Sequence, residues 1–199
     1  SQMLLLRGLT ILRQVANHPA MVQGEYADSS GKFEEAMRML KNAIHEGHKI
    51  LVFSQFVKHL RLVKERLLNE QIAHIYLDGQ TPREERVKLV ERFNKKTDVK
   101  VFLISLKAGG LGLNLTSADY VILLDPWWNP AVEQQAIDRS HRIGQKRTVI
   151  SYRFITKNSV EEKIMALQQR KRSISDSLVS AEQSLVKQLN LEEIKAILT

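Results

Sequence analysis

Five short runs of β-branched and other large apolar residues punctuate the chain, at residues 49–54 (KILVFS), 72–77 (IAHIYL), 99–105 (VKVFLIS), 120–125 (YVILLD) and 149–155 (VISYRFI). Several are apolar at consecutive positions, the pattern of strands covered on both faces. Segments with helical periodicity separate them. Strand and helix in alternation predict an α/β fold, a parallel sheet with helices on both faces. At 199 residues there is room for one such domain and a helical appendage.

Helix starts are marked locally. Thr81-Pro82-Arg83-Glu84 pairs an N-cap threonine with a proline at the first helical position and a glutamate placed to close a capping box. Asn129-Pro130 repeats the cap-then-proline signal, and Ser159 with Glu162 forms another capping box. Residues 3–16 read as a helix, followed by a polar loop with Asp28-Ser29-Ser30-Gly31. After Asn158 the pattern is wholly helical, with Ile164, Leu167, Ile174, Leu178, Leu185 and Leu189 on one amphipathic face. The expected organisation is therefore an N-terminal helix and linker over residues 1–30, a main lobe over 31–157 and a helical extension over 158–199.

Composition narrows the class. With 43% hydrophobic and 26% charged residues the chain is an ordinary globular one, which argues against disorder. No apolar run nears the roughly 18 residues a membrane span needs, and the N-terminus lacks a signal peptide's pattern. An intracellular protein without a membrane partner is expected. The absence of cysteine excludes disulfides and thiolate zinc sites, and the six histidines show no metal-ligand spacing, so no metal site is expected. His45 and His48 read as surface residues. A net charge of +8 favours a polyanionic partner, although charge alone does not identify nucleic acid.

In parallel sheets ligands bind beyond the carboxyl ends of the strands, and three loops there are unusual. The first, SLKAGGLGLNLT from Ser105, holds Gly109, Gly110 and Gly112 within four residues. Such a loop lets backbone N–H groups approach a phosphate, or simply makes a tight strand-to-helix turn. The second, DPWWNP from Asp125, places Trp127 and Trp128 at a strand end. Aromatic rings there can stack on a base or sugar; for Trp127, core packing explains the position equally well. The third, QAIDRSHRIGQ from Gln135, is expected to lie within the helix begun at Asn129-Pro130 and to run to Gly144. It sets Arg139 and Arg142 three residues apart, on one helix face. A salt-bridged surface would account for two arginines; their company of Gln135, Asp138 and His141 favours a shared anionic target.

These three segments resemble motifs V, Va and VI of the Swi/Snf-type branch of superfamily-two helicases. ILVFSQF from Ile50 resembles motif IV, and LDGQTPREER from Leu77 the DNA-contacting motif after it. LRQVANHPAMV from Leu12 is similar to the segment leading from the first motor lobe, and SSGKFEEAMRML from Ser29 to the start of the second. DRSHRIGQ is the most specific of these, since DEAD-box RNA helicases carry HRxGRxxR where this chain has HRIGQKR.

The resemblance implies a RecA-like second lobe of an ATP-driven double-stranded DNA translocase. ATP and Mg2+ would lie between this lobe and an N-terminal RecA-like lobe of the same polypeptide, held mainly by the latter. Arg139 and Arg142 match arginine fingers that reach the γ-phosphate, while Gln135 and Gly110 match positions near the nucleotide. On the DNA side Trp128 matches a minor-groove contact and Lys107 a phosphate contact. Gly79, Gln80 and Thr81 would offer backbone and hydroxyl donors to one strand, assisted by the helix they begin. A DNA-bound protein or nucleosome would be the cargo.

What is missing also bears on function. A phosphate-gripping Walker A loop requires G-x-x-x-x-G-K-[ST], and the nearest candidate, residues 24–33, has six residues between its glycines and Phe33 at the hydroxyl position. No DExH or DEAD sequence occurs, so little or no ATP hydrolysis is expected from this chain alone. A non-catalytic DNA-binding or protein-docking lobe is the alternative, against which the retained Arg139 and Arg142 argue; DPWWNP and HRIGQ argue against an RNA helicase. The lack of a large insertion implies a prokaryotic source and a nucleoid location, the nucleus being the equivalent in a eukaryote.

Overall fold

Each apolar run becomes a strand of a single parallel sheet in the computed structural model, which describes residues 2–109, 112–141, 144, 145, 147–175 and 197. The strands are β1 (Ile50–Ser54), β2 (His74–Leu77), β3 (Val101–Ser105), β4 (Tyr120–Leu123) and β5 (Ile150–Arg153), in the order β2-β3-β1-β4-β5. β1 and β3 are buried along their whole length, as their unbroken apolar runs require. The chain crosses β1 in passing from β3 to β4, so the carboxyl ends of β3, β1 and β4 stand side by side.

The pleat sends alternate residues into two cores. Leu51, Phe53, Phe102, Ile104, Val121 and Leu123 face one layer, covered by Phe93 of α4 (Arg83–Lys95) and Ala136 of α6 (Pro130–Ile137). Ile50, Val52, Val101, Leu103 and Ile122 face the other, against Phe33, Met37 and Leu40 of α2 (Gly31–His45) and Leu60, Val63 and Leu67 of α3 (Val57–Asn69). Each such side chain contributes about 2 kcal/mol by leaving water.

A third cluster joins the two ends of the described chain. Leu9 of α1 (Gln2–Asn17) packs with Val160 and Ile164 of α7 (Val160–Ser175) and with Ile197, and Trp128 lies against them. Lys32, in the stretch compared with a Walker loop, is committed elsewhere. Ser30 caps α2 by accepting the Phe33 N–H at 3.2 Å, and the Lys32 ammonium donates to Glu161 at 2.7 Å and to Asn17 Oδ1 at 2.8 Å. Leu178, Leu185 and Leu189 fall outside the described residues.

Two helix boundaries differ from expectation. α4 starts at Arg83 with Pro82 in the capping position and no side-chain cap. Thr81 instead closes a turn with Asp78, its hydroxyl accepting the Asp78 N–H at 3.2 Å. α6 stops at Ile137 rather than running to Gly144. Its continuation is drawn away because the Arg139 carbonyl accepts the Leu115 N–H at 3.0 Å, while Arg139 and Ser140 bond back three residues. Asn129 does cap α6, accepting the Ala131 N–H at 2.9 Å. Ser159 accepts the Glu161 N–H at 3.1 Å, with Glu162 returning to the Asn158 N–H at 2.9 Å.

Candidate nucleotide and nucleic-acid site

The loops after β1, β3 and β4 meet at one end of the sheet. Asp125, fully buried, accepts the Ser54 hydroxyl and the Gln55 side-chain amide, the latter at 2.7 Å; Gln55 also donates to the Pro126 carbonyl at 2.9 Å. A carboxylate out of water is tolerated when several donors surround it, and here they fasten the loop after β1 to the tryptophan segment.

Trp127 turns inward. It is 1% exposed, with its ring edge-on to Phe53 at 6.4 Å, and its backbone N–H donates to Glu133 at 2.7 Å. Of its two open readings, core packing is the one the fold adopts. Trp128 is half-buried, and the Arg13 guanidinium of α1 lies over its ring at 4.9 Å from the centroid.

Beyond α6, Arg139 is only 6% exposed. Its guanidinium lies against the glycine-rich loop, where a Cβ built on Gly112 would stand 3.9 Å from Arg139 Nη1, and Gly112 holds the left-handed φ of +69° that favours glycine. Gln135, Arg139, Trp127 and Leu106 line a common crevice. The structure thus brings Gln135 and Arg139 together with both ends of the glycine-rich loop. Because the helix ends first, Arg139 sits in the turn beyond it. Arg142 and Gly110 lie outside the described residues, as does the Lys107 side chain, whose backbone forms part of α5 (Leu106–Gly109).

The turn after β2 is a separate region. Gly79 and Gln80 are exposed and Thr81 half-buried. Two of the turn's backbone donors are used within the turn itself. The Gln80 N–H is taken by Asp78 Oδ1 at 2.9 Å and the Thr81 N–H by the Asp78 carbonyl at 3.2 Å. The helix it was to begin starts one residue later than expected, at Arg83 instead of Pro82. Arg86 clamps the turn by donating to the Thr81 and Gly79 carbonyls at 2.6 and 3.2 Å. Between Arg83, Arg86 and Val87 of α4 and residues 112–114 opens a groove of about 690 Å3, so α4 and the glycine-rich loop flank one surface.

Arg13, Gln55, Asp125 and Glu133 organise the site without having been singled out beforehand. Glu133 carried one signal, an acidic residue one turn inside a capped helix. Arg13 carried none, since a lone arginine in an amphipathic helix reads as a surface residue. Among the described residues no three His, Asp or Glu side chains are placed to hold a metal. Guanidinium and amide donors fit the phosphate side of a nucleotide and not its metal.

Residues 31–144 match the family model of the helicase conserved C-terminal domain. Among solved structures, the C-terminal domain of a SWI2/SNF2 ATPase from Sulfolobus solfataricus superposes with a TM-score of 0.77 at 33% identity, covering 98% of this chain and 81% of that one. The ATPase core from the same organism in complex with dsDNA gives 0.80 at 34% identity, covering 98% and 42%. The human SWI/SNF-related matrix-associated actin-dependent regulator of chromatin subfamily A member 1 is 39% identical over 94% of this chain and 19% of its own length. The DNA repair protein RAD5 of Candida albicans is 42% identical over 85% and 16%. The chain therefore spans less than a fifth of these curated relatives.

Proposed function

The chain belongs to the SWI2/SNF2 family, as the RecA-like helicase C-terminal domain of one of its ATPases, and from that we propose that it is the second motor lobe of an ATP-driven translocase on double-stranded DNA. The observation that carries this is the seat of Arg139 against Gly112 and beside Gln135, at the carboxyl end of a parallel sheet. Ligands of such sheets bind there. Across from an N-terminal RecA-like lobe of the same polypeptide, Arg139 and Arg142 present guanidiniums to the γ-phosphate, and Gln135 and Gly110 border the nucleotide. Positive charge at a transferring phosphoryl group accelerates its transfer on the order of a thousandfold or more. ATP supplies that group, and the first lobe holds most of the ATP and its Mg2+.

DNA runs over the same end of the lobe, touched by Trp128, Lys107 and the Gly79-Gln80-Thr81 turn. A net charge of +8 and the dsDNA complex of a 34% identical core support duplex DNA as the track. Contacts of this kind carry little sequence information, so affinity falls steeply with salt. A DNA-bound protein is the load that such a motor displaces, and the location is wherever the DNA is.

The test is ATP hydrolysis by the parent chain with both lobes, with and without duplex DNA, beside Arg142→Ala. Stimulation by duplex and loss of turnover in Arg142→Ala with DNA binding intact are expected. A parent indifferent to DNA, or an unimpaired variant, would make this a non-catalytic docking lobe.

A further inference from the structure

Resting on the assignment of Trp128 as a DNA contact, we propose that Arg13 of α1 is a positioning residue that holds the Trp128 indole in the orientation in which it meets the duplex. Arg13 is 4% exposed. Its guanidinium donates to the Pro126 carbonyl at 2.9 Å and lies over two aromatic rings, 4.9 Å from the centroid of Trp128 and 5.2 Å from that of Phe56. One planar cation therefore joins three segments: α1, the loop after β1, and the tryptophan turn.

Burying that charge is costly. Desolvation pushes the Arg13 pKa down against the opposing pull of Asp125 and Glu161, and a well-packed apolar side chain of similar volume would be at least as favourable for stability alone. What an apolar side chain cannot do is grip an indole by its face while hydrogen-bonding the backbone one residue from Trp127. Rotation of the Trp128 ring is thereby restricted before any ligand arrives, which lowers the ordering cost of binding.

The seat of Arg13 is itself fixed. Thr156 donates to the Ala16 carbonyl at 2.7 Å and Ser30 to the Asn17 carbonyl at 2.8 Å, tying the end of α1 to the chain before α7 and to the cap of α2. Trp128 remains half-buried, so part of the residue is open to solvent. The orientation of a DNA-contacting side chain is in this way set by the helix that precedes the lobe.

The test uses the parent chain with both lobes and measures ATP hydrolysis against duplex DNA concentration for Arg13→Met, Arg13→Lys, Trp128→Ala and the double variant Arg13→Met/Trp128→Ala. Arg13→Met is expected to raise the half-saturating DNA concentration on the order of fivefold, the equivalent of one cation–π contact, with the change in half-saturation and not in the rate at saturating DNA. Arg13→Lys recovers part of it. In the Trp128→Ala background Arg13→Met has no further effect. A lower saturating rate with unchanged half-saturation is what a merely weakened lobe gives and overturns the proposal, as do independent, multiplying effects of the two substitutions. If Trp128→Ala itself leaves half-saturation unchanged, the DNA-contact assignment falls and takes the role of Arg13 with it.

Discussion

The Glu133 carboxylate accepts the backbone N–H of Trp127 at 2.7 Å, reaching six residues back along the chain, and its other oxygen pairs with Arg153 of β5. Glu133 is 1% exposed, and burial raises its pKa against the pull of the Trp127 amide and Arg153. One buried acid therefore ties the tryptophan turn to α6 and to the edge strand.

Removing it leaves a buried amide and a mostly buried guanidinium without their acceptor. Glu133→Ala is expected to lower unfolding stability by about 3 kcal/mol and Glu133→Gln, which keeps an acceptor oxygen, by about 1 kcal/mol. Denaturant titration of the three proteins decides this, and equal costs for the two substitutions would contradict it.

Gly112 is a second local requirement. Its φ is +69°, and the nearest atom to an added Cβ would be Arg139 Nη1 at 3.9 Å, an ordinary contact. The obstacle to a side chain is thus backbone strain and not space. Gly112→Ala should cost about 1 kcal/mol, Gly112→Asn less, because asparagine tolerates the left-handed region, and Gly112→Val about 2 kcal/mol. Thermal unfolding of the series would show that order, whereas a ranking by side-chain volume would point to crowding.

β1, β3 and β4 were legible because burial on both faces writes itself as nearly unbroken apolar runs, whereas β2, which alternates in burial, and the more exposed edge strand β5 were legible through their β-branched and aromatic residues. The order β2-β3-β1-β4-β5 was not, since periodicity records which residues are buried and not beside what. Of the site, Arg139 and Gln135 stood out by composition, but the end of α6 at Ile137 depended on the Leu115 N–H, 24 residues away, reaching the Arg139 carbonyl. The Thr81 cap was lost to Asp78 in the same way, one turn-former displacing another. Arg13 shows the general limit: its helix was legible, and what its guanidinium lies over was decided by tertiary packing alone.

His59 of α3 is fully buried beside Phe33, and among the described residues neither ring nitrogen has a hydrogen-bond partner. Burial, with the nearby charges of Lys32 and His18, depresses its pKa to about 3. With the folded value below the unfolded one, near 6.5, the unfolded chain binds this proton first on acidification. Stability present above the unfolded pKa is then lost as the pH falls toward the folded one. Between pH 7 and pH 5 the loss from His59 is about 2 kcal/mol. His59→Leu should remove that share of the slope, read by denaturant unfolding at the two pH values, and an unchanged slope in the variant would mean that His59 accepts its proton without unfolding.

Hydrolysis of ATP needs more than the groups this lobe brings. Arg139 and Gln135 are donors suited to charge on a phosphoryl group, but Lys32, in the stretch that comes nearest to a phosphate-gripping loop, is bound to Glu161 and Asn17, and among the described residues no carboxylate cluster is placed for Mg2+. Without a grip on the β- and γ-phosphates and their metal, nothing holds the nucleotide in line for the arginines to act. The 199-residue chain alone is therefore expected to release phosphate from ATP at the rate of buffer, with or without duplex DNA, and Arg139→Ala should change nothing in that assay. The same substitution in the parent chain should reduce turnover on the order of a thousandfold. Turnover by the isolated chain that disappears in Arg139→Ala would show instead that this lobe carries a complete nucleotide site of its own.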